Sequence, residues 1–190
     1  MADVFFIEPR HDKAVEYSIS LMKKNYESVG FIPKSGIERL SSQNGLAVGV
    51  LNNEPCGYIL YQPPKCGKDV KIIQVVVPTD VQRKSYGMLL VDHVEKHSLN
   101  TDSSGIYLKV AWDLEANSFW QDIGYYCTGN VMGGKVRSRI LNVYRKDFYP
   151  TLLTVMRSPL TGSKNTKLYA EYRQNKTPVF DFAWKGQRYG

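Results

Sequence analysis

The chain has 190 residues, of which 43% are hydrophobic and 23% charged, with a formal net charge of +7. These values are typical of globular proteins and exclude a collagen-like, a fully disordered or a coiled-coil chain. No apolar run approaches the roughly 20 residues of a spanning helix, and residues 1–10 lack the pattern of a secretory leader. The three cysteines Cys56, Cys66 and Cys127 form no CxxC pair. We therefore expect reduced thiols in a cytoplasmic protein that does not bind a membrane.

The hydrophobic pattern, taken in chain order, predicts a mixed α/β fold in which strands precede helices. Strands are predicted over residues 4–7, 46–51, 56–61, 71–77, 106–112, 125–128 and 139–144. Helices are predicted over residues 12–29, 35–42, 85–98 and 114–123. Asn52 and Asn53 indicate a hairpin turn, and Gly124 suits the position after a helix end.

The last third of the chain differs in composition from the rest. Residues 131–190 hold 12 of the 25 Lys and Arg residues but 3 of the 18 Asp and Glu residues, a net charge of +9. Prolines interrupt the pattern after Phe148, so we predict a domain over residues 1–148 and a basic, aromatic-rich extension over residues 149–190 that docks on it. Basic residues interleaved with aromatic ones favour contact with a nucleic acid. A solubilising surface and an arm for a partner protein are the alternatives.

A strand, a polar loop and a helix follow one another between residues 71 and 98. The first N–H groups of a helix and its dipole attract phosphate, and small residues such as Ser85 and Gly87 allow a pyrophosphate to approach. Arg83 and Lys84 add positive charge at the same place. A solvated loop is the alternative to this phosphate site.

Two motifs resemble the GNAT superfamily of acyl-CoA-dependent acyltransferases. Residues 82–87, Gln-Arg-Lys-Ser-Tyr-Gly, match its pyrophosphate motif with Ser85 where the first glycine is usual. Residues 113–125 match its downstream Asn-x-x-Ala-x-x-Phe-Tyr-x-x-x-Gly-Phe pattern, and the resemblance covers about residues 1–145. It implies a mixed, mostly antiparallel sheet flanked by helices.

The resemblance also implies that acetyl-CoA or another acyl-CoA lies in a cleft between the central strands. The backbone of residues 75–77 would contact the pantetheine, residues 82–88 the pyrophosphate, and the helix from residue 114 the thioester. The implied cofactor-binding residues are Val75, Val76, Val77, Gln82, Arg83, Lys84, Ser85, Tyr86, Gly87, Met88, Asn117 and Trp120. The acyl group would then pass to an amine that attacks the thioester directly.

Two departures from the family pattern affect proton transfer. Trp120 stands where the family often has a tyrosine acid, and Gln74 where it often has a glutamate base; neither side chain titrates. The candidates to replace them are Asp113, Tyr125 and Tyr126, unless the enzyme works by positioning alone. Asp113 is also an ideal N-cap for the following helix, and capping is the default interpretation. At most one of the two tyrosines faces the site if both lie in a strand.

The acceptor and the assembly remain open at this level. A nucleic acid, either a DNA base or tRNA, is the slightly favoured acceptor because of the basic extension. A small molecule or a protein is the alternative, and a non-catalytic CoA-binding or partner-binding protein is a third possibility. His93 and His97 lie one helical turn apart, but without a third ligand we predict no metal site. The chain is expected to be a monomer or a homodimer.

Overall fold

The computed structural model describes residues 5–8, 13–82, 85–133 and 139–148. Its strands are β1 (Phe5–Glu8), β2 (Leu46–Leu51), β3 (Glu54–Tyr61), β4 (Asp69–Val76), β5 (Gly105–Ala111), β6 (Tyr126–Gly133) and β7 (Arg139–Asp147). Its helices are α1 (Ala14–Lys24), α2 (Tyr26–Val29), α3 (Lys34–Ser42), α4 (Tyr86–Asn100) and α5 (Ala116–Asp122), with a 3₁₀ turn at Thr79–Val81. The predicted extension over residues 149–190 lies outside the described residues, so its boundary and its docking stay predictions.

The strands described form one sheet in the order β1-β2-β3-β4-β5-β7-β6. β1 with β2, β2 with β3, β3 with β4, and β6 with β7 are antiparallel. β4 and β5 are parallel, and α4 makes the crossover that parallel neighbours require. The predicted mixed, mostly antiparallel sheet flanked by helices is therefore confirmed.

Two local signals read from the sequence have a clear conformational basis. Asn52 and Asn53 both have positive φ values, 51° and 70°, as a tight two-residue hairpin turn requires. Gly124 has φ 89° and donates its N–H to the Gln121 carbonyl, while the Tyr125 N–H reaches the Trp120 carbonyl. This pair of bonds closes α5 with a Schellman motif, in which the left-handed position favours glycine.

The sheet packs helices on both of its faces because side chains alternate along each strand. Val48 and Val50 belong to the buried core formed with α1 and α3. The intervening Gly49 lies where an added Cβ would be 3.6 Å from Leu90 of α4. The helices α1 and α3 thus cover one face and α4 covers the other, which leaves the ends of the strands to form a site.

Several element predictions are corrected by the structure. The helix predicted over residues 12–29 breaks at Asn25, whose side-chain amide bonds the Leu21 carbonyl in competition with the helical backbone. β6 extends well beyond the predicted residue 128. The cap of α5 is Glu115 rather than Asp113.

Candidate active site

The two central strands separate towards their C-terminal ends. β4 and β5 pair only where Asp69, Val70 and Lys71 face residues 105–107. β4 continues to Val76 and β5 to Ala111, well past the last of these pairs. On its other side β4 stays paired with β3 as far as Val76. β4 and β5 therefore diverge into a cleft along which β4 has no strand partner on its β5 side among the described residues. An extended chain such as pantetheine can lie along this open side.

The start of α4 lies at the end of this cleft. Ser85 precedes the helix with φ 64°, and its own side chain makes no capping hydrogen bond. The N–H groups of the first turn can therefore bind an anion. The left-handed conformation of Ser85 explains why glycine is usual at this position. An added Cβ at Gly87 would lie 3.5 Å from Phe119 and 3.8 Å from Val77. The end of β4, the start of α4, and α5 therefore meet at one place, as the predicted cofactor site requires.

The other predicted cofactor residues, in β4 and in the loop after it, differ in how far they are exposed. Gln82 is exposed, and its amide donates to the Val77 carbonyl at 3.0 Å, which closes the loop after β4. Val75, Val77 and Met88 are half-buried, and Val76 is buried. Arg83 and Lys84 lie outside the described residues. Their contact with phosphate stays a prediction.

Two of the predicted cofactor residues have side chains packed in the core. Tyr86 is 8% exposed and stacks on Phe5, with ring centroids 4.7 Å apart. Trp120 is 5% exposed and makes edge contacts with Phe119 and Tyr125. These rings stabilise α4 and α5. Tyr86 therefore has its backbone N–H, rather than its ring, to offer a ligand, whereas the Trp120 carbonyl is already bonded to the Tyr125 N–H.

Asn117 is the centre of a hydrogen-bond network between β5, α5 and β7. Its amide nitrogen donates to the carbonyls of Ala111, Trp112 and Leu114 at 2.8, 3.2 and 2.6 Å. Its side-chain oxygen accepts from Asn142 at 2.8 Å and from the Tyr144 hydroxyl at 3.2 Å. These contacts give Asn117 a structural function in holding the turn after β5, and its predicted contact with the cofactor is untested.

Gln74 occupies the position of the expected base but serves as a buried connector. It is 4% exposed, and its amide nitrogen donates to the carbonyls of Val29 and Gly30 at 3.1 and 3.0 Å. Its oxygen accepts from the Tyr58 hydroxyl at 2.8 Å. Burial, and then nearby Tyr17, raise the pKa of Tyr58. Neither side chain thus supplies a base at neutral pH, and Gln74 instead fastens the α2–α3 connection to β4.

Asp113 is committed to an ion pair with Arg139. Nε and Nη2 of Arg139 donate to the two carboxylate oxygens at 3.0 and 2.9 Å, and Nη1 donates to the Glu27 carbonyl at 3.0 Å. The hydrogen bonds from Arg139 hold the pKa of Asp113 below its usual range. A carboxylate with a lowered pKa is a weak base, so these contacts favour a structural function over the predicted catalytic one.

The two candidate tyrosines lie side by side in different environments. Tyr125 is 2% exposed and donates to Glu95 at 3.0 Å, while Lys146 donates to both oxygens of that carboxylate at 2.8 Å. Burial, followed by the nearby Glu95 charge, raises the pKa of Tyr125 well above 10. Tyr126 is half-buried in β6 opposite Arg145. The structure favours a packing function for Tyr125, and the catalytic assignment of Tyr126 stays a prediction.

Exposed apolar side chains surround the open end of the cleft. Phe31 in the α2–α3 connection is 69% exposed, Trp112 after β5 is 61% exposed, and Met132 near the end of β6 is 68% exposed. We call these three residues the apolar rim. The Trp112 N–H donates to the Ile140 carbonyl at 3.1 Å, and Ile140 pairs with Met132. The end of β5 and the β6–β7 hairpin are therefore adjacent.

Comparisons with known proteins identify the family. A family model described as the acetyltransferase (GNAT) family matches residues 8–125, which is more than half of the chain. The chain belongs to this family. The acyltransferase activity, the fold and the acetyl-CoA donor expected from the two motifs are thereby confirmed. A search of curated proteins by sequence finds no significant match.

Solved structures of acetyltransferases share the fold at low sequence identity. Arabidopsis thaliana NAA60 with acetyl-CoA is 11% identical over 77% of this chain and 100% of its own, with a TM-score of 0.68. Arabidopsis thaliana Naa50 with the bisubstrate analogue CoA-Ac-MVNAL is 19% identical over 76% and 99%, with a TM-score of 0.58. The ribosomal-protein-S18-alanine N-acetyltransferase of Escherichia coli is 11% identical over 76% and 94%, with a TM-score of 0.60. The match extends over nearly the whole of each of these chains.

Sequence reasoning missed the residues that connect distant segments. Arg139 and Tyr144 carry no motif, and both act through partners more than 20 positions away in the chain. In the sequence, Arg139 stands out only as one of the basic residues of the C-terminal third. Among the described residues, no group of three or more His, Cys, Asp and Glu side chains is placed to hold a metal ion. Within the same residues, no helix is long and apolar enough to cross a bilayer.

Proposed function

We propose that this GNAT acetyltransferase transfers an acetyl group from acetyl-CoA to the free α-amine of a peptide or protein whose first residues are apolar. The observation that carries this proposal is the composition of the open end of the cleft. Phe31, Trp112 and Met132 are the apolar rim. An apolar side chain attached to a protonated amine suits such a surface.

The charges at the open end of the cleft support the same acceptor. The described residues there, 26–33, 112–115, 131–133 and 139–140, contain the acids Glu27, Asp113 and Glu115, and their only Lys or Arg is Arg139. Arg139 is bound to Asp113. An acidic and apolar surface attracts an ammonium group and repels the phosphates of a nucleic acid.

The transfer forms a bond between the amine nitrogen and the acetyl carbon and breaks the bond from that carbon to the CoA sulfur. The ammonium group loses one proton to solvent before it attacks, the attacking nitrogen then loses a second proton, and the departing thiolate gains one. Gln74 cannot titrate, and Asp113 is held ionised by Arg139. We therefore infer that the protein contributes mainly by positioning the amine near the thioester, with solvent water taking the proton.

The first experiment measures release of CoA thiol from acetyl-CoA with a panel of acceptors. The panel contains the peptide Met-Val-Asn-Ala-Leu, the same peptide with a blocked amino terminus and one added lysine, free glutamate, duplex DNA and tRNA. We expect turnover with the first peptide only. Turnover with glutamate or a nucleic acid alone would contradict the peptide assignment, and no turnover with any acceptor would favour a non-catalytic CoA-binding protein.

A nucleic-acid acceptor remains the second candidate because of the net charge of +9 on residues 131–190. This version predicts binding to DNA or tRNA that weakens steeply with salt and is lost when the chain ends at residue 148. If the full chain does not bind DNA or tRNA, or binds them independently of salt, a nucleic-acid acceptor is ruled out.

The cofactor loop has its own test. Arg83→Glu combined with Lys84→Glu is expected to weaken CoA binding about tenfold or more in calorimetry, because two acids replace two cations at the pyrophosphate. Lys65→Glu combined with Lys68→Glu is the matched control, since these residues precede β4 at the far end of the sheet. Equal CoA affinity of the two double variants would contradict the assignment of residues 82–88.

A further inference from the structure

Residues 26–33, which comprise α2 and its connection to α3, are fastened to the sheet on both sides of the cleft. On the β4 side, the Gln74 amide donates to the carbonyls of Val29 and Gly30. On the β7 side, Arg139 donates to the Glu27 carbonyl at 3.0 Å, 112 residues away in sequence. The segment therefore bridges the two halves of the sheet at the place where they diverge.

The two fastenings differ in their physical chemistry. Gln74 is neutral and 4% exposed, so its bonds are protected from salt. The Arg139 and Asp113 side chains are 26% and 45% exposed, and pairs of this kind are screened by salt. The Gln74 contact is therefore insensitive to ionic strength, whereas the Arg139 contact weakens as ionic strength rises.

The guanidinium group of Arg139 joins three segments at once. Two of its nitrogens engage the two oxygens of Asp113, just after β5, and its third engages the Glu27 carbonyl of α2. A lysine ammonium at the same position is a point charge and cannot reproduce this planar arrangement. The contact therefore depends on the shape of the arginine side chain as well as on its charge.

We propose that Arg139 is a positioning residue for the acceptor. Together with Asp113 and the Glu27 carbonyl it forms a clasp that holds residues 26–33, including Phe31, in place beside Trp112. The clasp brings two members of the apolar rim to a defined separation, so that its loss weakens acceptor binding without removing any group from the reacting atoms. The expected effect on the peptide KM rests on the proposed function. The expected effect on the stability of residues 26–33 does not.

The chain contains a matched control for this clasp. Arg145, also on β7, forms a two-pronged pair with Asp69. Asp69 lies in the part of β4 that remains paired with β5, at the closed end of the cleft. The side chains of this pair are 28% and 32% exposed. Arg145→Gln therefore removes a comparable ion pair from the same strand without touching residues 26–33.

Hydrogen exchange of the full chain tests the structural part. Arg139→Gln is expected to speed exchange of the Ser28, Val29 and Gly30 amides about fivefold or more, because the segment loses one of its two fastenings. Arg139→Lys should give most of the same effect, and Arg145→Gln should leave these amides unchanged. Unchanged exchange in Arg139→Gln, or equal exchange in the two glutamine variants, would overturn the clasp whether or not a peptide is acetylated.

Kinetics with Met-Val-Asn-Ala-Leu test the positioning part. In Arg139→Gln we expect the KM for the peptide to rise about tenfold, with kcat and the KM for acetyl-CoA nearly unchanged. Added salt should raise the peptide KM of the unmodified chain and of Arg145→Gln more than that of Arg139→Gln, in which salt screens only the attraction of the acidic surface for the amine. A fall in kcat alone, or the same salt response in all three proteins, would overturn the positioning function. Failure to acetylate the peptide at all would contradict the proposed function. The hydrogen-exchange measurement would still show whether Arg139 holds residues 26–33 in place.

Discussion

Gln74→Glu is the sharpest test of the site because it restores the expected base while changing a single atom. In the unmodified chain the amide nitrogen donates to two carbonyls at 3.1 and 3.0 Å. The introduced carboxyl group donates to one of them at most, and only while it is protonated. Leaving one buried carbonyl without its donor costs about 1–3 kcal/mol. The ionised form keeps the hydrogen bond from the Tyr58 hydroxyl, but it faces two carbonyl oxygens in a site that is 4% exposed. Burial and the carbonyls outweigh one donor, so the pKa of the introduced group is expected to rise above 7.

The pH dependence of this variant follows from linkage. Between the unfolded-state pKa of about 4.3 and the raised folded-state pKa, the folded chain binds more protons than the unfolded chain, so stability falls as pH rises. From pH 5 to pH 7 the free energy of unfolding of Gln74→Glu should fall by about 2–3 kcal/mol relative to the unmodified chain.

Urea unfolding at pH 5, 6 and 7 measures this difference. Gln82→Glu is the matched control, because Gln82 also donates to a carbonyl but is exposed, and its difference should stay nearly flat with pH. A flat difference for Gln74→Glu would refute the reasoning. So would a gain in acetyl transfer, since it would show that this position accepts a base after all.

Other substitutions test the packing around the site. Lys146→Met leaves the Glu95 carboxylate without its cation and should lower the free energy of unfolding by about 3 kcal/mol in urea titrations; combining it with Glu95→Gln should recover much of that loss. Asn117→Asp replaces the donor to three carbonyls by an oxygen and should lower the free energy of unfolding by about 2–4 kcal/mol. A decrease under about 0.5 kcal/mol would show that the network contributes little to stability. Gly124→Ala should cost about 1 kcal/mol because φ is 89° there.

The features that the sequence predicted are those carried by local patterns. The two-residue turn at Asn52 and the helix end at Gly124 depend on backbone preferences within a few residues, and the continuous apolar run of β2 reflects burial of both of its faces. The cofactor motif likewise lies within one strand–loop–helix unit. These features were predictable because their physical causes lie close together in sequence.

The features that the sequence did not predict depend on pairs far apart in the chain. Asp113 has the residue type of a helix cap, and only the approach of Arg139 shows that its carboxylate is used elsewhere. From the sequence, Gln74 indicates only that the glutamate base of the family is missing. In the structure its amide donates to two carbonyls near the α2–α3 connection, which an ionised carboxylate cannot do. Because these contacts arise from tertiary packing, a residue type and its local spacing could not reveal them.

The same contacts make a prediction about the pH profile of the reaction. Gln74 has no proton to exchange, hydrogen bonds from Arg139 lower the pKa of Asp113, and burial raises that of Tyr125 well above 10. None of these three groups changes its protonation state between pH 6 and 9. If water takes the proton, kcat/KM for a peptide should therefore rise tenfold per pH unit and level off near the pKa of the peptide's own α-amine, about 7.7–8.0.

Changing the acceptor distinguishes this explanation from a protein base. An acceptor peptide with a less basic amino group should shift the midpoint of the profile down by the same amount as its amine pKa, while a base on the enzyme would keep its own midpoint. A midpoint that stays fixed when the amine is changed would show that a titrating group of the protein controls the reaction. In that case Tyr126, the candidate that the structure leaves half-buried in β6, becomes the first residue to substitute with phenylalanine.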